Sequence, residues 1–297
     1  MITQHEAATT LLAAAREAGR RVAEYQRRVA REPVARDLKR DRYDIVTEHD
    51  RACEVMAVGA LREAVPGCRI VGEEGGESVG VAGADDGGAG LGADVTFYVD
   101  PIDGTANFAS GSPLFCVSIG AEWRGQMVAG VVNAPLLGQE WFADDEAAWV
   151  EGFDTAGPVR LAGPVERAEG ESVVLTGFPS SRDVSLGGDG SLAEFVRATR
   201  SVLAVRSLGS AAIEIAYVAS GWADACFMTG VSSWDAAAGE ALIRAAGGRM
   251  RRYPMVADPA TDPVTWPGYF AVAPGRDAPI IERFVAELSE ERQSARG

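Results

Sequence analysis

The segment YVDPIDGTANF, from Tyr98 to Phe108, places Asp100 and Asp103 around a proline and just before a glycine. Aspartate, proline and glycine are common in turns, so one interpretation is an ordinary surface turn after the hydrophobic run at 95–99. The other interpretation is a metal site, because carboxylates are the ligands that hard divalent cations prefer. A metal site needs further acidic residues from distant parts of the chain, and their presence decides between the two.

Three further segments supply carboxylates at positions that such a site requires. Glu73 and Glu74 end a strand-like run, and Asp235 lies in the first turn of a predicted helix that begins WDAAAG. Asp50, in DIVTEHD, lies at the start of an earlier predicted helix. We therefore predict that these carboxylates meet at one Mg²⁺ site, since Mg²⁺ prefers oxygen ligands. A purely structural cation site is less favoured, because it would not require the hydroxyl of Thr105.

The composition argues against several other kinds of chemistry. The net charge of −15 over 297 residues disfavours binding to nucleic acid or to an acidic membrane. His5 and His49 lack partners at metal-ligand spacing and the four cysteines form no CxxC pair, so neither zinc binding nor histidine-centred catalysis is expected. No apolar run is long enough to span a membrane and the first residues are polar and helical, so we expect a cytoplasmic protein with reduced thiols.

Hydrophobic periodicity predicts helices at the N-terminus, followed by a sheet. Apolar residues from Leu11 to Val29 recur at steps of three and four, and Thr47 with Asp50 resembles a capping box that opens a second helix. The glycine-rich residues 75–92 are predicted to form a mobile surface loop. Strand candidates with the spacing of an antiparallel meander lie at 68–72, 95–99, 114–123 and 126–135.

After about residue 170, strand-like runs alternate with helix candidates at 191–200, 210–219 and 235–246. We therefore predict an α/β (α+β) fold, a layered αβαβα sandwich of two sheets with helices between and outside them. The N-terminal lobe, residues 1–165, would contain an antiparallel sheet and the metal site. The C-terminal lobe, residues 166–297, would contain a mixed sheet and bind the substrate, and the two lobes would form one compact unit.

The acidic segments occur in a characteristic order, with GEE first, DPIDGT next and WDAAAG much later in the chain. In this combination, from about Lys39 to Gly248, the chain resembles the inositol monophosphatase family of lithium-sensitive, magnesium-dependent phosphatases. The resemblance implies a phosphoric monoester hydrolase in which two or three Mg²⁺ ions activate a water against a small phosphorylated metabolite. It also implies a homodimer, since dimers are usual among these enzymes.

The resemblance assigns roles to particular residues. Thr105 and Asp50 would orient and deprotonate the attacking water, with Glu73 as the third member of the catalytic set. The main chain at Gly104 and Thr105 would hold phosphate oxygens. The metal ligands would be four carboxylates and one main-chain carbonyl, from Glu73, Asp100, Ile102, Asp103 and Asp235.

Other matching positions would bind the rest of the substrate. Lys39 matches the family's active-site lysine, although a solvated charge in a basic patch explains it equally well. Ser210 is also a good candidate for a helix N-cap, which is compatible with a place in the site. The residues in contact with the substrate, including those that face its alcohol portion, would be Ser180, Gly209, Ser210, Ala211 and Asp235.

One position departs from the family pattern. Inositol phosphatases carry a glutamate seven residues before the aspartate of the WD pair, where it binds inositol hydroxyls, and this chain has Met228 there. A thioether cannot replace a carboxylate in binding a diol, so inositol 1-phosphate is not expected to be a good substrate. The expected substrate is therefore a cyclitol, sugar or related alcohol phosphate, and histidinol phosphate and nucleotide 3′-phosphates are alternatives. A regulatory binding protein that retains the fold, a role credited to some bacterial members, is a further alternative.

Overall fold

The computed structural model of the protein describes residues 2–31, 37–38, 45–79, 91–152, 156–161, 163 and 168–295. Its helices are α1 (Gln4–Val29), α2 (Glu48–Ala64), α3 (Thr105–Ser110), α4 (Ser181–Thr199), α5 (Ala211–Ala219), α6 (Ser233–Ala246) and α7 (Pro279–Ser294). The predicted capping box of Thr47 and Asp50 is present and fixes Asp50 at the start of α2. None of the helices in the described ranges combines the length and the apolar character needed to cross a bilayer.

The strands form two larger sheets and one short pair. In chain order they are β1 (Asp37–Leu38), β2 (Ile45–Val46), β3 (Arg69–Gly72), β4 (Gly76–Val79), β5 (Val95–Asp103), β6 (Cys116–Trp123), β7 (Gln126–Ala134), β8 (Gln139–Ala143), β9 (Ala148–Glu151), β10 (Val159–Arg160), β11 (Val173–Thr176), β12 (Ala204–Arg206), β13 (Ala225–Met228), β14 (Arg249–Tyr253) and β15 (Gly268–Val272). The order of strands is β10-β9-β8-β7-β6-β5-β3-β4 in the larger sheet and β12-β11-β13-β15-β14 in the smaller sheet, while β1 pairs with β2.

The sheets and helices are stacked in layers. The α1 and α2 helices cover one face of the larger sheet, α5 and α6 fill the space between its other face and the smaller sheet, and α4 and α7 pack outside the smaller sheet. The predicted α/β sandwich is therefore confirmed. Both sheets are mixed, because β3 runs parallel to β5 in the otherwise antiparallel larger sheet, and β11 runs parallel to β12 and β13. The lobe boundary near residue 165 stays a prediction.

Several local predictions from the sequence were wrong. The composition of residues 75–92 predicts a loop, but Gly76–Val79 forms β4 because it pairs with β3 across a hairpin; residues 80–90 lie outside the described part. The helix predicted at 191–200 begins ten residues earlier, at Ser181, since the capping box at Ser180 outweighs the cost of the glycines that α4 contains. The sequence patterns also gave no prediction for β14 or α7.

Close packing against the larger sheet fixes the position of α6. Gly120 on β6 and Gly130 on β7 lie directly beneath this helix. A Cβ atom at Gly120 would be 2.6 Å from the Cβ of Ala237, and one at Gly130 would overlap the carbonyl oxygen of Ala238. Only glycine permits this approach, since protein interiors are already close-packed. The first turn of α6, with Asp235, is thereby brought against β5 and β6.

We expect Gly130→Ala to destabilise the protein by roughly 1–3 kcal/mol, because the new methyl group overlaps the main chain of α6. Gly59→Ala, within α2, is the matched control, since nothing lies within 4 Å of the added methyl group. That control should stabilise the helix by about 0.5–1 kcal/mol. Urea denaturation of the wild type and both variants measures the free energies of unfolding. Equal values for the two variants would show that α6 does not lie against Gly130.

Candidate metal centre

Two neighbouring parallel strands bring the first carboxylates together. Gly72, the last residue of β3, pairs with Val99 of β5, so Glu73 and Asp100 follow at the same end of the sheet. The main-chain N–H of Glu73 donates to the carbonyl oxygen of Val99 at 3.3 Å, which continues the pairing. Ligands commonly bind beyond the carboxyl ends of such strands.

A bulge in β5 aims Asp100 and Asp103 toward the same place. Asp100 pairs with Ser118 of β6 and Asp103 pairs with Cys116, so three steps along β5 correspond to two along β6. Without the extra residue, side chains three positions apart on a strand would point to opposite faces of the sheet. The Ile102 N–H donates to Oδ1 of Asp100 at 3.0 Å, which stabilises this irregular stretch.

The start of α5 holds the carboxylate of Asp103. The main-chain N–H groups of Ala211 and Ala212 donate to it at 3.2 and 2.9 Å, and so does the hydroxyl of Ser210, the N-cap residue of α5. The first N–H groups of a helix have no acceptor within the helix, so a helix N-terminus favours negative charge. Ser210 is therefore an N-cap that also contacts a predicted metal ligand.

The start of α6 adds Asp235 to the same group. Its Oδ2 accepts a hydrogen bond from the Ser232 N–H at 2.6 Å, which fixes the side chain within the first turn of the helix. Asp100, Asp103 and Asp235 each offer a carboxylate oxygen, and these oxygens lie within 4.8 Å of one another. A set of donors that are all oxygen fits Mg²⁺ better than a softer metal.

Burial raises the pKa values of these three carboxyls, and repulsion by neighbouring carboxylates adds to the rise for Asp100 and Asp235. For Asp100 the effect of burial is increased by the charges of Glu73, Asp103 and Asp235, and its pKa lies well above the ordinary value. Burial and then the charge of Asp103 raise the pKa of Asp235 to about 7. The pKa of Asp103 is also raised by burial, but the hydrogen bonds from Ser210 and α5 oppose the rise. A bound divalent cation would offset this repulsion.

A second group of carboxylates adjoins the first. Asp50, Glu73 and Glu74 also place carboxylate oxygens within 4.8 Å of one another. The hydroxyl of Thr105 lies 3.3 Å from Oδ1 of Asp50 and 3.1 Å from the carbonyl oxygen of Ile102. Because Oδ2 of Asp50 accepts two hydrogen bonds from the N-cap residue of α2, it is Oδ1 that faces Thr105.

The loop at Gly104 lies against the turn that precedes α5. Gly104 has a φ of +89°, and a Cβ atom there would be 2.9 Å from the carbonyl oxygen of Leu114 and 3.1 Å from that of Gly209. This backbone conformation and this contact both require glycine. The predicted phosphate-binding loop and the predicted alcohol-binding residues, which begin at Gly209, are therefore in direct contact.

For the other predicted positions, the structure shows either contacts that do not include these carboxylates or no description at all. Lys39 belongs to the residues that the structure does not describe. Ser180 caps α4, and its hydroxyl donates to Asp183 at 2.6 Å. The Sδ of Met228 accepts a hydrogen bond from the Gly177 N–H at 3.3 Å.

Glu54 helps to position this site, although the sequence motifs do not include it. Its carboxylate is buried and accepts the main-chain N–H groups of Glu74 at 2.7 Å and Gly75 at 2.6 Å. The turn that carries Glu73 is thereby fixed to α2. The spacing of four residues from Asp50 is a signal that could have found it, since it puts both side chains on one face of the helix.

Two further side chains, Asn107 and Glu214, fix the turn that precedes α5. The amide nitrogen of Asn107 donates to the carbonyl oxygens of Leu114 at 2.7 Å and Leu208 at 2.8 Å. The carboxylate of Glu214 accepts the Leu208 N–H at 2.7 Å. Burial raises the pKa of Glu214 to about 7. Neither contact has a local sequence signal, because each residue binds main-chain atoms rather than a partner side chain.

We expect the metal-free protein to become more stable as the pH falls from 8 to 6. Asp235 and Glu214 each have a pKa of about 7 in the folded state, so their carboxyls take up protons between pH 8 and pH 6. In the unfolded chain the same carboxyls have pKa values of about 4 and stay ionised over this range. The free energy of unfolding therefore decreases as the pH rises through 7. Mg²⁺ competes with the protons at Asp235 and should raise the melting temperature more at pH 8 than at pH 6.

Scanning fluorimetry in EDTA and in Mg²⁺ at each pH measures both effects. Asp235→Asn removes one of the titrating carboxyls and should flatten the pH dependence. A metal-free melting temperature that is lower at pH 6 than at pH 8 would contradict the electrostatic description of the site.

Comparison with known proteins places the chain in a family. The model of the inositol monophosphatase family matches residues 4–266. The protein of Pseudomonas aeruginosa named Nus factor SuhB is 37% identical over 239 residues, which are 80% of this chain and 82% of that protein. The inositol-1-monophosphatase of Mesorhizobium japonicum is 38% identical over 209 residues, 69% and 71% of the two chains. The solved structure of the Thermotoga maritima IMPase is similar with a TM-score of 0.71 and 26% identity, covering 95% of this chain and 97% of that one. The resemblance of the motifs is thus confirmed, and the chain belongs to the inositol monophosphatase family.

Proposed function

We propose that this protein is a Mg²⁺-dependent phosphatase that hydrolyses a small phosphate monoester. The observation that carries the proposal is the two adjoining carboxylate groups, with the hydroxyl of Thr105 within hydrogen-bonding distance of Asp50 beside them. Oxygen donors of this kind suit Mg²⁺, and membership of the family supports the reaction type. The proposed metal ligands are Glu73, Asp100, the carbonyl oxygen of Ile102, Asp103 and Asp235.

Charge is the first obstacle to this reaction, since a protein of net charge −15 repels a phosphate monoester. Bound Mg²⁺ would reverse the local charge, attract the phosphate dianion and make a water more acidic. The chain itself contributes the loop at Gly104 and Thr105, whose main chain is proposed to bind phosphate oxygens. The positive φ of Gly104, which glycine adopts without strain, gives this loop its main-chain direction.

Asp50 and Thr105 are proposed to take the proton of the attacking water. The Thr105 hydroxyl carries one proton and has two acceptors within reach, Oδ1 of Asp50 and the carbonyl oxygen of Ile102. Donation to Asp50 leaves the lone pairs of Thr105 available to the water and leaves the Ile102 oxygen available as a ligand. Asp50 then acts as the general base through Thr105.

The alcohol portion of the substrate is proposed to bind without a carboxylate that recognises a diol. The hydroxyls of Ser180 and Ser210 are engaged by Asp183 and Asp103, and Met228 accepts a main-chain N–H. These contacts support a monoester other than inositol 1-phosphate. Sugar phosphates, cyclitol phosphates other than inositol 1-phosphate, histidinol phosphate and nucleotide 3′-phosphates are the candidates.

The name of one relative supports a second candidate function. The Pseudomonas aeruginosa protein, 37% identical, is named Nus factor SuhB, which favours a regulatory protein that retains the fold. A binding function does not require the pair of Asp50 and Thr105, whereas hydrolysis does. Phosphate release from a panel of monoesters, with and without Mg²⁺, separates the two. Release from none of them would favour the regulatory function.

The chemistry of the thiols supports a reducing compartment for this reaction. All four cysteines are free and buried, which is typical of cytosolic proteins. We therefore propose a cytoplasmic enzyme that acts on a small phosphorylated metabolite. The homodimer stays a prediction from the family resemblance.

Asp100→Asn should abolish Mg²⁺-dependent turnover, because an amide binds a hard cation far more weakly than a carboxylate. The same change removes a buried charge from a repelling group, so the melting temperature in EDTA should stay equal or rise. Glu63→Gln, which removes an equal charge from an exposed position, is the control and should keep wild-type turnover. Phosphate release at wild-type rate by Asp100→Asn would remove Asp100 from the metal site.

Met228→Glu should restore use of inositol 1-phosphate, because a carboxylate at this position can accept the inositol hydroxyls. We expect kcat/KM for inositol 1-phosphate, relative to p-nitrophenyl phosphate, to rise about tenfold or more. Met228→Leu, an apolar substitution of similar size, should leave the ratio unchanged. If wild-type protein already prefers inositol 1-phosphate over the rest of the panel, Met228 does not determine the substrate.

A further inference from the structure

Glu214 is a fully buried carboxylate that belongs to neither carboxylate group. Its side chain, on α5, accepts the Leu208 N–H at 2.7 Å. Its Oε2 is buried with no hydrogen-bond partner, and no ion pair among the described residues includes it. Burying a carboxylate in this way costs free energy, so the contacts that it makes require an explanation.

The turn that Glu214 contacts is held from both sides. Leu208 donates its N–H to Glu214, while its carbonyl oxygen accepts the side-chain amide of Asn107 at 2.8 Å. Asn107 lies in α3, directly after the loop at Gly104. Gly209 has a φ of +75°, and its carbonyl oxygen faces Gly104. The two side chains therefore fasten the turn at 208–209 against the proposed phosphate-binding loop.

The same turn leads directly into the donors that hold Asp103. Ser210 follows Gly209, and the hydroxyl of Ser210 and the N–H groups of Ala211 and Ala212 all donate to the Asp103 carboxylate. A shift of the turn would move these donors together. The direction in which Asp103 points is thus coupled to the hydrogen bond that Glu214 accepts from Leu208.

We propose that Glu214 is a positioning residue of the metal centre, which aligns the turn 208–210 so that Ser210 and α5 aim Asp103 at the cation. This positioning role rests on the proposed Mg²⁺-dependent function, because aiming Asp103 matters only if a cation binds there. Its physical content, the hydrogen bond that holds the Leu208 N–H, is independent of turnover. The carboxylate serves here as an acceptor, because the Leu208 N–H is a main-chain donor that needs one.

Hydrogen–deuterium exchange tests the clamp in the full-length protein. In wild type, the amide of Leu208 should be protected, and Glu214→Ala should speed its exchange about tenfold or more, the effect of losing a buried hydrogen bond. Glu214→Gln keeps an acceptor oxygen and should retain most of the protection. Val218→Ala, a truncation at another fully buried position of α5, is the control and should not change the exchange of the Leu208 amide.

A Mg²⁺ titration followed by melting temperature tests the consequence for the metal. Glu214→Ala should raise the Mg²⁺ concentration for half-maximal stabilisation about tenfold, and Glu214→Gln should keep it within about threefold of the wild-type value. Val218→Ala should have the wild-type Mg²⁺ concentration for half-maximal stabilisation, although its melting temperature is lower. Equal shifts in Glu214→Ala and Val218→Ala would reduce Glu214 to a structural residue and overturn the proposal. So would an unprotected Leu208 amide in wild type, a result that needs no variant to fold.

These readouts do not depend on catalysis. A wild-type protein that releases no phosphate but shows the expected exchange and Mg²⁺ shifts would reject the phosphatase function and keep the role of Glu214. Active wild type in which Glu214→Ala binds Mg²⁺ normally would keep the function and reject this role.

Discussion

The crowding of like charges at one end of the larger sheet is the interaction on which the rest of the structure depends. Oxygens of Asp100, Asp103 and Asp235 lie within 4.8 Å of one another, and burial is the largest cause of their raised pKa values. Carboxylates gathered in this way cost several kcal/mol unless protons or cations compensate them. Protonation and the binding of a divalent cation would both offset the cost of burying these charges close together.

The fold reduces this repulsion with main-chain N–H groups at the starts of helices. Asp103 accepts two such groups from α5, Asp235 lies in the first turn of α6, and Asp50 completes the capping box of α2. Three helix N-termini thus converge on the ends of β3 and β5, where their dipoles favour negative charge. This convergence requires α6 to approach the sheet closely, which the glycines at 120 and 130 allow. The close packing of α6 on the sheet therefore also brings Asp235 to the other carboxylates.

The carboxylates that the structure brings together have local signals in the sequence. The capping box of Thr47 and Asp50, the DPIDGT segment and the WD pair are each read within a few residues, and their order along the chain identifies the family. The supporting contacts have no such signal. Asn107 and Leu208 are 101 residues apart, and the partners of Glu54 and Glu214 are main-chain groups of any residue type. The strand β4 and the first half of α4 are not predicted for a related reason. Pairing with β3 and the capping box at Ser180 outweigh the local preferences of their residues.

Anomalous diffraction from a crystal soaked in Mn²⁺ measures most directly whether these acidic side chains form one cation site. Mn²⁺ takes the same oxygen ligands as Mg²⁺ and can be located unambiguously by its scattering. We expect peaks in contact with the carboxylates of Asp100, Asp103 and Asp235, and with Glu73 at their edge. A map in which the manganese lies elsewhere, with these side chains turned away from one another, would contradict the account.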